Sequence, residues 1–234
     1  MSAAPAPLRD ALATRVADIL RREILAGSYE LGQRLIEAEF AKRFNVSHGV
    51  VREAFQILQG DCLVVADPYR GRSVFRMESH EIPDLFIARA FEESWAATLA
   101  VERLTKESAD RIAEQARRLR EEKPPTLVEW FEIDYDFHRA LWAAADNPWL
   151  ETRLIRLVVP LRALPLAKIS QPQFDPNSPP SRYQEWERSG HPHGHQRIAA
   201  AVLRRNAEAA RRAVILHILK DPRFRQRRKE LFAL

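Results

Sequence analysis

Four side chains in the C-terminal two thirds of this 234-residue sequence have the types and spacing of a divalent-cation site. Between positions 127 and 141, one stripe reads Leu127, Phe131, Asp134, His138 and Leu141. It places Asp134 and His138 one turn apart on an otherwise apolar helix face. A buried carboxylate is costly unless it is paired, so Asp134 needs a partner. His195 and His217 lie 11 residues to either side of Asn206. With antiparallel helices turning at Asn206, each histidine sits about 16 Å from the hairpin end and the two imidazoles lie side by side. One Asp and three His converging in a helical bundle is the donor composition of a metal centre. The same residues also read as ordinary core histidines, each bonded to a carbonyl or to Asp134. In the run His191-Pro192-His193-Gly194-His195, the proline and glycine mark an irregular helix start, so only His195 is assigned to the cluster.

The elements that carry these residues follow from punctuation. No glycine occurs between Met77 and Arg188, a stretch rich in Ala, Leu, Arg and Glu. This reads as six or seven long helices, with turns at Pro124-Pro125, Asn147-Pro148, 170–180 and Asn206. Trp130, Trp142, Trp149 and Trp186 read as core or dimer contacts. The single cysteine, Cys62, excludes a disulfide framework and a multi-cysteine metal site. No apolar run is long enough to span a bilayer and the N-terminus lacks a signal-peptide core, so no membrane partner and a cytoplasmic location are expected.

The first 77 residues read differently. Five of the seven glycines fall in the first 71 positions, between short periodic segments. Positions 8–26 form an amphipathic helix with Leu12, Val16, Ile19, Leu20 and Ile24 on one stripe, capped by Gly27. A short helix over 37–44 is followed, after Asn45-Val46, by a helix that Ser47 caps and that runs to about Gln59. Two β-prone runs, 63–66 and 73–77, flank the turn Asp67-Pro68-Tyr69-Arg70-Gly71. The net charge is +5, and positions 40–76 hold 6 basic against 3 acidic residues while 79–219 hold 20 of each. The basic tail at 223–229 reads as a solvated face. Two short helices plus a basic hairpin match a winged helix-turn-helix, whose second helix fits the DNA major groove while arginines neutralise phosphates.

The run from Arg15 to Val74 resembles the winged-helix domain of the GntR family of bacterial transcription regulators. The matching pieces are Gly27-Ser28-Tyr29, Gly32-Gln33-Arg34-Leu35, Val46-Ser47, Val51-Arg52-Glu53-Ala54 and Arg70-Gly71. The resemblance implies DNA contacts from Arg34, Ser47, His48, Gly49, Arg52, Arg70 and Gly71, with Arg52 on the recognition helix and Gly71 at the wing tip. His48-Gly49 stands where the family usually has arginine, which implies an altered operator preference, because a neutral imidazole cannot make arginine's bidentate contact to guanine. The family often places glycine after an acidic residue before the first wing strand, where this chain has Asp61-Cys62. The segments around 134–150 and 195–217 resemble the family's FadR-like, all-helical FCD effector domain. In that domain an Asp and three His, here Asp134, His138, His195 and His217, bind a divalent metal.

The resulting expectation is a mostly α protein, a winged helix-turn-helix with a small β-hairpin over 1–77 and an all-α effector bundle over 78–234. It is expected to be a homodimeric, ligand-responsive regulator of double-stranded operator DNA, a repressor rather than an enzyme. Zinc is the expected metal, with nickel, manganese or iron suited to the same donors. By resemblance a small carboxylate metabolite completes the sphere and Arg89 anchors it, although Arg89 with Glu93 also reads as a surface i,i+4 pair. Two alternatives use the same cluster: a metal-dependent hydrolase or lyase, and a regulator in which the metal is purely structural.

Overall fold

A computed structural model describes residues 8–68, 71–78, 80–124, 127–169 and 192–234. Its contacts divide the chain into two compact units. One holds the described residues of 1–78 and of 155–176, the other those of 79–154 and of 177–234. Arg70, Trp186 and the 170–180 turn lie outside the described residues.

The first unit begins with α1 (Leu8–Leu25), which ends where Gly27 turns at φ +76°. Its buried face is Ala13, Val16, Ala17, Leu20 and Ile24. Leu12, expected on this stripe, is exposed instead, because a 3.6-residue period centred on Ala13 and Ala17 rotates position 12 off the face. Next come β1 (Arg34–Leu35), α2 (Glu37–Phe44) and α3 (His48–Gly60). Asn45 makes the turn between α2 and α3 in the left-handed region, a conformation asparagine tolerates. Ser47 caps α3 as its sequence position requires, its hydroxyl accepting from the Val50 N–H at 3.4 Å. The α3 residues Val51, Phe55 and Leu58 are fully buried against α1 and α2, and Phe55 meets Phe40 edge-on.

The wing is β2 (Val64–Asp67) and β3 (Gly71–Val74), antiparallel with Val64 opposite Val74 and Asp67 opposite Gly71. The second strand thus starts at the hairpin tip and ends earlier than the expected 73–77. The strand also has a second partner: β1 pairs with β3 on the other edge, Arg34 opposite Ser73, in the order β1-β3-β2. A two-residue strand paired so far along the chain leaves no periodic mark in the sequence. Gly71 has φ +82°, a conformation in which a side chain is strained.

Cys62 closes α3. Its N–H reaches the Gln59 carbonyl at 3.1 Å and the Leu63 N–H reaches that of Leu58 at 3.0 Å, with Cys62 itself at φ +59°. This is a glycine conformation held by a residue with a Cβ. Cys62→Gly is expected to raise stability by about 0.5–1 kcal/mol, the relieved strain being partly offset by unfolded-state entropy. A shifted urea midpoint at unchanged slope would show it; an unchanged or lowered midpoint would count against the strain.

The second unit is helical: α4 (Ile82–Glu102), α5 (Lys106–Glu121), α6 (Leu127–Ala144), the start of α7 (Pro148–Ile169), α8 (Pro192–Leu203), α9 (Ala207–Ile218), a 3-10 turn at Pro222–Phe224 and α10 (Arg225–Phe232). Helix α4 packs on α9, α6 and α8, and α5 packs on α6 and α8. Asn206 caps α9 by accepting from the Ala209 N–H at 2.9 Å, and Arg205 bonds the carbonyls of Val101 and Leu104 beneath the turn. The α8–α9 hairpin forms where expected. On α6 the buried face is Trp130, Ile133, Phe137, His138 and Leu141, one step round from the expected stripe, and Phe131 is only partly buried. Trp149 is 86% exposed and so is no core residue; it sits in the first turn of α7, where its ring extends past the packed face. The arginines of the tail are largely exposed. No helix among the described residues is long and apolar enough to cross a membrane.

Candidate functional site

Helices α6, α8 and α9 bring four donors to one place. Asp134 and His138 project one turn apart from α6, His195 from the first turn of α8 and His217 from the last turn of α9. One ligand atom from each lies within 4.8 Å of those of the other three. The rings of His195 and His217 have centroids 4.2 Å apart, so the hairpin does set them side by side. His138 stands 5.3 Å from His195 and 5.4 Å from His217. His138 and His195 are almost wholly buried.

Burial lowers the pKa of His195 even though Asp134 opposes it. Burial lowers that of His217 much further, helped by the positive charge its neighbours would carry. Burial thus disfavours the protonated form of both rings, and an unprotonated ring nitrogen is the form a metal takes. Burial alone would raise the Asp134 pKa, but the imidazoles of His195, His138 and His217 hold it far below the usual range, as a carboxylate. The Nε2 of His195 is 2.9 Å from Asp134 Oδ1, yet it is buried without an aligned hydrogen bond. Two donors that approach each other without bonding, beside two further imidazoles, suit a cation between them. Ligand bonds of about 2.0–2.2 Å would keep the donors of one ion within about 4.4 Å of each other, and the donor atoms of this cluster lie within 4.8 Å. The residues present fit a divalent ion.

Sequence reasoning missed one residue here. Glu93 on α4 is fully buried, and its Oε2 accepts from His138 Nδ1 at 2.6 Å while Oε1 accepts from Arg89 Nε at 2.5 Å. Burial pushes its carboxyl up, but Arg89 and His138 outweigh this and hold it at about 2. An ionised Glu93 accepts a hydrogen bond from His138 Nδ1–H, which leaves the Nε2 lone pair facing the cluster. Arg89 Nη2 stands 3.4 Å from that Nε2. The Arg89–Glu93 pair thus exists, but it is a buried pair at the cluster and not a surface one; Arg89 is 13% exposed. The i,i+4 spacing was the available signal, and only the neighbouring helix distinguishes the two settings.

In the first unit, His48 and Arg52 are exposed along α3, and Gly49 is half-buried between them in sequence. Arg52 is held by Glu37 on α2, Nη2 to Oε2 at 3.0 Å and Nε to Oε1 at 3.3 Å. Arg72 of the wing donates to the same carboxylate at 2.5 Å. The hydrogen bond from Arg52, against burial, keeps Glu37 ionised with a lowered pKa. Arg34 on β1 lines a hollow with Gly71, Arg72 and Arg76 of the wing. Asp67 lines the same hollow, which thus carries three arginines against one aspartate, a basic balance that suits a phosphate backbone.

Comparison with known proteins agrees with both units. Residues 12–74 match the bacterial regulatory proteins of the gntR family and residues 84–220 match the FCD domain. The chain is 28% identical over 218 residues to the Uxu operon regulator of Haemophilus influenzae, covering 88% of this chain and 78% of the relative. It is 28% identical over 205 residues to the HTH-type transcriptional repressor RspR of Escherichia coli, covering 86% and 82%. Its fold is similar to that of E. coli McbR/YncC, with a TM-score of 0.71 at 20% identity over 93% of this chain and 98% of the other. The matched families are those of regulators and not of enzymes. The chain belongs to the GntR family of bacterial transcription regulators, with an N-terminal winged helix-turn-helix and a C-terminal FCD effector domain.

Proposed function

We propose that this regulator is a cytoplasmic homodimeric repressor that senses a small carboxylate metabolite at a divalent-metal centre. The observation that carries the reading is the donor set Asp134, His138, His195 and His217, with a buried, unbonded His195 Nε2 and Arg89 beside it. A bound ion, zinc by donor type, supplies a Lewis-acidic site for a carboxylate oxygen. Glu93 orients His138 toward it, and Arg89, tethered through Nε, keeps its Nη2 facing the same space to take the second oxygen. Contacts from Arg34, His48, Gly49, Arg52, Arg70 and Gly71 hold the operator, with Ser47 capping the helix that enters the groove. Repression follows the printed role of the E. coli relative.

The test is thermal unfolding of the EDTA-treated protein with added Zn²⁺, Ni²⁺ or Mn²⁺. An ion at 100-fold its dissociation constant adds about 2.7 kcal/mol, which raises the melting temperature of a protein this size by about 5–10 °C. A set of small mono- and dicarboxylates should raise it further in metal-loaded protein, and this second increment should vanish in Arg89→Ala. A metal shift with no carboxylate shift assigns the ion a purely structural role. No metal shift overturns the reading.

A further inference from the structure

Gly194, the third residue of α8, sits against His217 of α9. A Cβ placed on it would stand 2.4 Å from His217 Nδ1, 3.3 Å from Cγ and 3.4 Å from Cε1. No side-chain carbon approaches a ring nitrogen that closely. The backbone is not the reason for the glycine: unlike Gly27, Gly32 and Gly71, Gly194 does not have positive φ. Alanine would fit its conformation and would favour the helix. On the cluster side the imidazole is bounded by the rings of His195 and His138, whose centroids stand 4.2 and 5.4 Å away, so it can yield only away from the cluster.

We infer that Gly194 is a positioning residue for His217, its missing side chain forming the seat from which α9 delivers that imidazole into the four-donor cluster. The first turn of α8 then does two things at once. It supplies His195 and, one residue earlier, it makes the space that His217 fills. Any side chain at 194 turns His217 out of the cluster and leaves three donors. The consequence for metal binding rests on the metal reading above, whereas the contact between positions 194 and 217 rests on geometry alone.

The experiment is a double-mutant cycle on the full chain with Gly194→Ala, His217→Ala and the pair together. Zn²⁺ affinity is read by competition with a chromophoric chelator, and thermal stability in EDTA. Gly194→Ala is expected to weaken Zn²⁺ binding about 10- to 100-fold, as loss of a ligand-orienting group does. In the His217→Ala background the same change should leave the residual affinity where it is and should raise the melting temperature, since only the helix preference of alanine remains. Wild-type Zn²⁺ affinity in Gly194→Ala, or an equal loss in both backgrounds, would overturn the inference. Should Gly194→Ala fail to fold, a folded double variant supports the clash and an unfolded one overturns it. Absence of Zn²⁺ binding in the wild type overturns the metal reading, and the thermal cycle still decides whether Gly194 seats His217.

Discussion

Alanine at position 52 is expected to lower affinity for the operator about 10- to 100-fold while leaving affinity for unrelated duplex nearly unchanged. The expectation follows from how Arg52 is presented. It stands exposed on the second turn of α3, and both nitrogens of its fork lie against the Glu37 carboxylate. That contact fixes a long side chain before DNA arrives, so less rotamer freedom is lost on binding. A bidentate arginine–guanine contact is worth about 1–3 kcal/mol in discrimination. His48 cannot replace it, and Arg52 is therefore the one described side chain of α3 with a forked donor. Lysine at 52 should fail to restore discrimination, because a point charge does not match the two acceptors of guanine. Glu37→Gln should act the opposite way on background binding. It loosens Arg52 and Arg72 together, so non-specific affinity rises and the specificity ratio falls. Anisotropy titrations on a selected operator and a scrambled duplex, across several salt concentrations, separate the roles. A uniform loss on both duplexes with the salt slope reduced by about one would place Arg52 on a phosphate instead.

What could be read before the fold was known divides along a physical line. Features written in neighbouring residues came through: the Ser47 cap, the helix break at Asn45-Val46, the turn at Asn206 and the symmetry of His195 and His217 about that turn. Each is decided within a turn or two of chain. Features decided across helices did not. Whether Leu12 or Ala13 faces inward depends on where α3 lies. The pairing of β1 with β3 depends on a strand almost forty residues away. Glu93 is four residues from Arg89 whether the pair faces solvent or the cluster, and only His138, on another helix, makes it a buried ligand-orienting group. Gly194 looked like a helix-start irregularity because its partner lies on α9. The donors themselves were legible because their chemistry is rare on apolar faces. Their supports were not, because a supporting group is defined by what it touches.

Glu93→Gln is expected to cost about 3–5 kcal/mol in the metal-free protein and to weaken Zn²⁺ binding about 10- to 100-fold. The two effects have separate causes. Glu93 is fully buried and neutralises Arg89, which is itself nearly enclosed. An amide leaves the guanidinium without a countercharge in a low-dielectric site, and that is where the stability goes. The affinity goes elsewhere. The carboxylate accepts a hydrogen bond from His138 Nδ1–H, whereas an amide can present its NH₂ group and stabilise the other tautomer, with the proton on Nε2. A double variant, Arg89→Met with Glu93→Gln, separates them. Removing both charges should recover most of the stability lost in the single variant, since no unpaired ion remains. It should not recover Zn²⁺ affinity, since His138 is still unoriented. Urea denaturation in EDTA and chelator competition measure the two quantities on the same preparations. Recovery of both would show that Glu93 serves only to neutralise Arg89. Recovery of stability without affinity ties the carboxylate to His138, and through it to the tautomer that leaves Nε2 open.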